Sequence, residues 1–202
     1  MFGSPLVKHA FVHARNSYDG VHLGMQWRNA NIWWQGRGGL RWSQVMSFLS
    51  LLLTLEAPPD ILVIHCGGND IGHVSTSYLR KNIVATIKRI IRMLPNTRVV
   101  WSQILPRLRW RNEQDHCALE KARLRVNSFV AKEVISLGGG YIRYPEISEA
   151  NTGFFLPDQV HLSAPGNDLF LYRIQQALQS FLSSDSTMSP PVGEDGPWQM
   201  FK

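Results

Sequence analysis

The chain has 202 residues, of which 44% are hydrophobic and only two are cysteine, so a secreted disulfide framework is excluded and one domain can bury its own core. The formal charge of +6 and pI near 9.6 permit a polyanionic partner. No apolar run reaches the ~20 residues that a spanning helix needs, and no charged-then-apolar leader is visible, so the reading is a soluble cytoplasmic protein with no membrane partner.

Gly3-Ser4-Pro5 leads into Leu6–Ala14, which suits a short helix with Ser4 as its cap and Pro5 at the first position. A first sheet strand there would have only Met1 and Phe2, which reads as a shortened version of a longer product. From Gly20 to Trp34, Val21, Leu23, Met25 and Trp27 alternate before Ile32-Trp33-Trp34, the pattern of a second strand, ended by Gly36–Gly39. Val45, Phe48, Leu49, Leu52 and Leu55 predict a helix over Leu40–Leu55, closed by Pro58-Pro59.

The stretch Ile61–Cys66 is apolar on both faces, as expected of a strand buried between two helical layers in a parallel sheet, and Gly67-Gly68 turn the backbone at its carboxyl end. Ser77–Leu94 carries Leu79, Ile83, Ile87, Ile90 and Ile91 on one stripe, and Pro95 stops it. Arg98–Ile104 is the next strand. Leu119, Ala122, Val126, Phe129, Val130 and Val134 mark a third long helix, Tyr141–Tyr144 a further strand, and Leu169–Leu182 the last helix. Strands alternating with helices predict a parallel α/β sheet in a three-layer α/β/α sandwich over 1–182. From Ser183 on, Ser, Pro, Gly and acidic residues predict a flexible tail over 183–202.

Three rim elements carry chemistry-bearing residues: Gly39, Asn69-Asp70, and Asp158-Gln159-Val160-His161 before the last helix. A histidine three residues after an aspartate can be held in one tautomer by the carboxylate and act as general base. An Asn amide beside a Gly backbone N–H supplies oxyanion donors. Asn69-Asp70 also reads as a turn and helix cap, and Asp158–His161 as a surface hydrogen bond. His65 reads as a core or rim histidine with a satisfied ring. His9, His13 and His22 show no metal-ligand pairing with cysteine, so no zinc is expected. Trp27, Trp33, Trp34 and Trp42 read as one cluster that serves packing rather than a sugar or base platform. Arg107, Arg109, Trp110 and Arg111 mix cations with a ring, although no nucleic-acid module is recognisable.

In these residues the sequence resembles the SGNH, or GDSL-like, hydrolases, esterases and lipases on a flavodoxin-like fold. Gly39 matches the family's glycine after the second strand, Gly67-Gly68-Asn69-Asp70 its Gly-x-Asn-Asp, and Asp158–His161 its Asp-x-x-His, in the family's order over about residues 3 to 182. The pattern is also similar to SGNH domains associated with vertebrate mobile elements. The resemblance implies a small acyl-ester substrate, no cofactor, His161 as base, Asp158 as its orienter, and Gly39 and Asn69 as oxyanion donors.

The family's first motif, Gly-x-Ser, departs here. With Gly3 as its glycine, the nucleophile position falls on Pro5, and Ser4 takes the variable position. Proline lacks the hydroxyl and the backbone N–H that the family's serine gives to the oxyanion hole. Two readings follow: a hydrolase in which Ser4 has taken the role, or a catalytically inactive binding module, a pseudoenzyme, for an acylated or polyanionic partner.

Overall fold

The computed structural model of the protein describes residues 1–110, 115–184 and 186–191. Its organising element is the strand Ile61–His65 (β3), whose side chains alternate between two separate cores. Leu62 and Ile64, with Cys66 just beyond, enter one cluster and Val63 the other, because successive Cβ atoms point to opposite faces. Arg98–Ser102 (β4) repeats this, sending Val99 and Trp101 to the first cluster and Val100 to the second. Burial on both faces is why these runs are apolar without interruption.

Phe2–Gly3 (β1), Gln35–Gly36 (β2), Gly140–Ile142 (β5) and Met188–Ser189 (β6) complete the sheet. Among the described residues it has six strands, all parallel, in the order β2-β1-β3-β4-β5-β6. Helices Val45–Leu52 (α2), Thr76–Met93 (α3) and His116–Ser136 (α4) cover the first face; Pro5–Ala14 (α1) and Ala164–Ser183 (α5) cover the second. The molecule is therefore the expected three-layer α/β/α sandwich, with the flavodoxin-like 2-1-3-4-5 order extended by one edge strand.

The helices follow their sequence stripes. On α3, Leu79, Ile83, Ile87 and Ile90 are buried, each worth about 1.5–3 kcal/mol of apolar transfer. The Ser75 hydroxyl accepts the Tyr78 N–H at 3.2 Å to cap its start. α4 and α5 are capped in the same way by Asp115 and Ser163.

Four expectations are corrected. The second strand is not within Gly20–Trp34 but at Gln35–Gly36, because Gly20, Leu23, Gly24 and Asn29 all have positive φ and coil the segment into turns and a 3-10 helix. The helix expected from Leu40 begins at Val45, after a 3-10 turn at Trp42–Gln44. The tryptophans do not cluster: Trp42 packs edge-on against Trp101 in the core, whereas Trp27 and Trp33 are exposed. The segment expected as a flexible tail from Ser183 contains β6, whose Thr187 and Ser189 carbonyls accept the N–H groups of Tyr141 and Arg143 at 2.9 and 2.8 Å. Residues 192–202 of that segment lie outside the described residues.

The first strand, expected to be nearly absent, is two residues long yet central. Phe2 and Gly3 pair with Gln35 and Gly36 on one side and with Ile64 and His65 on the other. A Cβ on Gly3 would lie 2.1 Å from the His65 carbonyl oxygen, so glycine is what lets β1 approach β3 there.

Candidate active site

In a parallel sheet the ligand crevice forms outside the carboxyl ends of the strands where the chain order reverses, here between β1 and β3. The loops that leave those ends carry the residues singled out in the sequence.

After β1, Ser4 donates its backbone N–H to the His65 carbonyl at 3.0 Å and starts α1, with Pro5 at the first helical position. Ser4 occupies the cap position, but its hydroxyl makes no cap hydrogen bond, contrary to the cap reading. The Ser4 carbonyl instead accepts the Val7 N–H at 3.0 Å in the first turn.

After β2, Gly39 has φ +66 and open space where a Cβ would stand. After β3, the Asn69 side chain ties these loops together, donating from Nδ2 to the Leu40 carbonyl at 3.1 Å and accepting Arg107 Nη2 on Oδ1 at 2.9 Å. Asp70 is buried and does not point into the crevice. Its Oδ2 accepts the Trp42 N–H at 2.9 Å, fixing the β2 loop against the β3 loop. Burial pushes the Asp70 carboxyl above its ordinary value, against the Trp42 N–H and the charges of Arg41 and His73, which pull it down.

The fourth element is the turn before α5. Asp158 Oδ1 accepts the N–H groups of Val160 and His161, both at 2.9 Å, and Oδ2 takes His161 Nδ1 at 2.7 Å. Gln159 adopts a left-handed φ of +63 to close the turn, and its carbonyl accepts the N–H groups of Leu108 and Arg109 from the β4–α4 connection. Although desolvation works the other way, the His161 N–H, the His161 ring and the Val160 N–H together hold the Asp158 carboxyl down at about 2. With Nδ1–H given to the carboxylate, His161 Nε2 carries the free lone pair, the arrangement of a supported general base.

Two side chains to which the sequence pattern assigns no role at the site, His9 and Arg107, belong to this rim. His9 stacks on His161, ring centres 4.5 Å apart and 22° from parallel. Burial, then the neighbouring His161 and Lys8, lowers its pKa, with Asp158 pulling the other way. The signal for it was available: His9 is four residues after Pro5, so both share one face of α1. Arg107 was legible only as part of a basic run. In the structure it bonds Asn69 and lies 5.1 Å from the centre of the Trp110 ring. Trp110 itself is buried, so it offers no stacking platform, and Arg111 lies outside the described residues.

Beneath the rim, His65 is buried as expected and its ring is satisfied. Its Nδ1 lies 3.0 Å from Ser102 Oγ, which lies 2.7 Å from Tyr144 Oη. Burial, with Arg107 second, lowers the His65 pKa to about 3, so the ring is neutral at ordinary pH. Among the described residues no three His, Cys, Asp or Glu side chains converge on a metal-sized site, and no helix is long and apolar enough to cross a membrane. An apolar cavity of about 220 Å³, lined by Phe2, Met25, Leu49 and Ile61 among others, lies toward the amino ends of the strands and shares no residue with the rim.

The sequence profile of the GDSL-like lipase/acylhydrolase family matches residues 10–169, a span that holds Gly39, Asn69, Asp158 and His161 and leaves Ser4 and Pro5 outside. No curated protein matches the chain. Similar solved structures include a protein described as an acylhydrolase from Bacteroides fragilis, 19% identical, with TM-score 0.67 over 90% of this chain and 86% of that one. A member of the lipolytic G-D-S-L family from Veillonella parvula is 17% identical, with TM-score 0.67 over 91% and 97%. A GDSL-like lipase from Bacteroides thetaiotaomicron is 18% identical, with TM-score 0.60 over 88% and 85%. At these identities the likeness is one of fold.

Proposed function

The chain belongs to the GDSL-like lipase/acylhydrolase family, and from that premise we propose that its rim binds a small acyl ester or acylated partner while turning it over near background. In this reading His161 is the general base, Asp158 orients it, and Gly39 N–H and Asn69 Nδ2 face the ester oxygen. No cofactor takes part. The observation that carries the reading is Pro5 at the first position of α1, the position on which the family's Gly-x-Ser serine falls when Gly3 is taken as the motif's glycine. A proline there supplies neither an attacking hydroxyl nor a backbone donor.

A second reading, a working esterase with Ser4 as nucleophile, is favoured by one observation: the Ser4 hydroxyl is not engaged as a helix cap. A fluorophosphonate probe separates the two, because phosphonylation needs a hydroxyl activated by a base, which attacks phosphorus and expels fluoride. Intact-mass measurement should find no adduct on the unmodified chain. A stoichiometric adduct that peptide mapping places on Ser4, and that His161→Ala abolishes, would replace the first reading with the second.

A further inference from the structure

The positive charge of this protein is not spread over its surface. Nine of its 21 Lys and Arg residues and two of its 15 Asp and Glu residues lie on α3 and α4, a surplus of seven cations. The rest of the chain has one more acid than base, so one helical layer accounts for the whole of the +6. α3 contains no acidic residue at all.

The exposed cations are also in line. At 100° per residue, Tyr78, Lys81, Ala85, Lys88, Arg89 and Arg92 occupy one arc of about 100° on α3, and all six are exposed. On α4, Lys121, Arg125 and Lys132 share the exposed arc with Cys117 and Ser136, and no acid interrupts it. The two helices are packed side by side: the Arg80 guanidinium lies 4.8 Å from the Phe129 ring centre, and Lys88 Nζ lies 3.5 Å from Glu133. Ordinary helix packing sets the two helix axes about 8–10 Å apart, and the arc from Tyr78 to Arg92 on α3 makes a row about 21 Å long.

We infer that the outer face of α3 and α4 docks the phosphate backbone of nucleic acid without regard to its sequence. Two rows of cations, with Glu133 against Lys88 as the one acid at their seam among the described residues, suit a linear polyanion, whose affinity comes from release of condensed counterions. An anionic membrane surface would attract the same charges. However, the α3 arc presents Tyr78 as its only large apolar side chain, so an interfacial helix with an apolar face to bury is not what the surface offers. This surface lies on the helical layer rather than on the rim, so the proposal does not depend on the reading of His161 and its neighbours.

The test is fluorescence anisotropy of a labelled 20-base-pair duplex of arbitrary sequence with the full chain, from 50 to 200 mM salt. With about four phosphates engaged, log K should fall against log salt with a slope near −4. Lys81→Gln/Arg89→Gln should weaken binding at least tenfold and bring the slope to about −2. The control, Arg15→Gln/Arg28→Gln, removes the same charge elsewhere and should change affinity less than twofold. Equal weakening by both pairs would make the effect one of net charge and overturn the proposal. So would no duplex binding at 50 mM salt, or tighter binding to vesicles of 30% phosphatidylserine in phosphatidylcholine that the α3 pair abolishes. All four side chains are exposed, so the variants keep the fold, which circular dichroism checks.

Discussion

Replacing Pro5 by serine should convert this chain into an esterase. The surroundings are already built: His161 Nδ1 is 2.7 Å from the Asp158 carboxylate, Asn69 is pinned between Leu40 and Arg107, and Gly39 holds its positive φ. Serine at the first helical position keeps helical backbone, and the loss of proline's restriction of the unfolded chain costs only about 0.4–1 kcal/mol. The change restores two groups at once. A backbone oxyanion donor is worth about 10²–10³ in rate, and an activated serine in a comparable triad contributes on the order of 10⁴ or more beyond that. Even if α1 holds the new hydroxyl imperfectly, a rise of about 10³-fold in kcat/KM for p-nitrophenyl acetate at pH 7.5 is expected. Pro5→Ser combined with His161→Ala should fall back to the level of the unmodified chain, because an unassisted hydroxyl is a weak nucleophile. A folded Pro5→Ser protein without a gain, or a gain that survives loss of His161, would refute the reasoning. Enzymatic rates in the unmodified chain, abolished by Ser4→Ala, would place the nucleophile one residue earlier.

Truncation after Ser184 removes β6 and the bonds that Tyr141 N–H, Arg143 N–H, Arg98 Nη2 and Arg143 Nη1 make to residues 186–190. At about 0.5–1.5 kcal/mol each, it should cost about 2–6 kcal/mol and lower Tm by roughly 4–24 °C; an unchanged melting curve would mean that the edge strand contributes nothing. Gly3→Ala should destabilise by about 3 kcal/mol in chemical denaturation, since its Cβ would stand 2.1 Å from the His65 carbonyl oxygen, and a neutral result would contradict the close β1–β3 approach. The Asp158 carboxyl is held at about 2 against an ordinary 3.8, so its ionised form stabilises the fold above pH ~4, and that contribution is lost as pH falls toward 2. Asp158→Asn should therefore lower Tm slightly at pH 7, and by less at pH 3; a difference that stays constant or widens on acidification would reverse the assigned sign.

Most of the architecture was legible in the sequence, because burial on both faces leaves a periodic trace. The run Ile61–His65 and the stripe Leu79–Ile83–Ile87–Ile90 are fixed by which residues must leave water, and they specify a parallel sheet between helical layers whatever the loops do. Gly39, Asn69, Asp158 and His161 were likewise legible as residue types at the ends of such elements. Tertiary structure alone decided the rest, where main-chain bonds or contacts between distant segments outweigh the local pattern. The apolar alternation from Val21 to Trp27 mimics a strand, but left-handed residues coil it, and the true β2 is the two-residue Gln35–Gly36, held by β1. β6 has no apolar stripe; backbone groups of β5 hold it. The stacking of His9 on His161 joins α1 to a turn some 150 residues away, and the whole surplus of positive charge, carried by α3 and α4, becomes one surface only when those helices lie side by side. Sequence determines which side chains must be buried, whereas the pairing of rim and surface groups depends on how the loops and helices meet, which no local periodicity encodes.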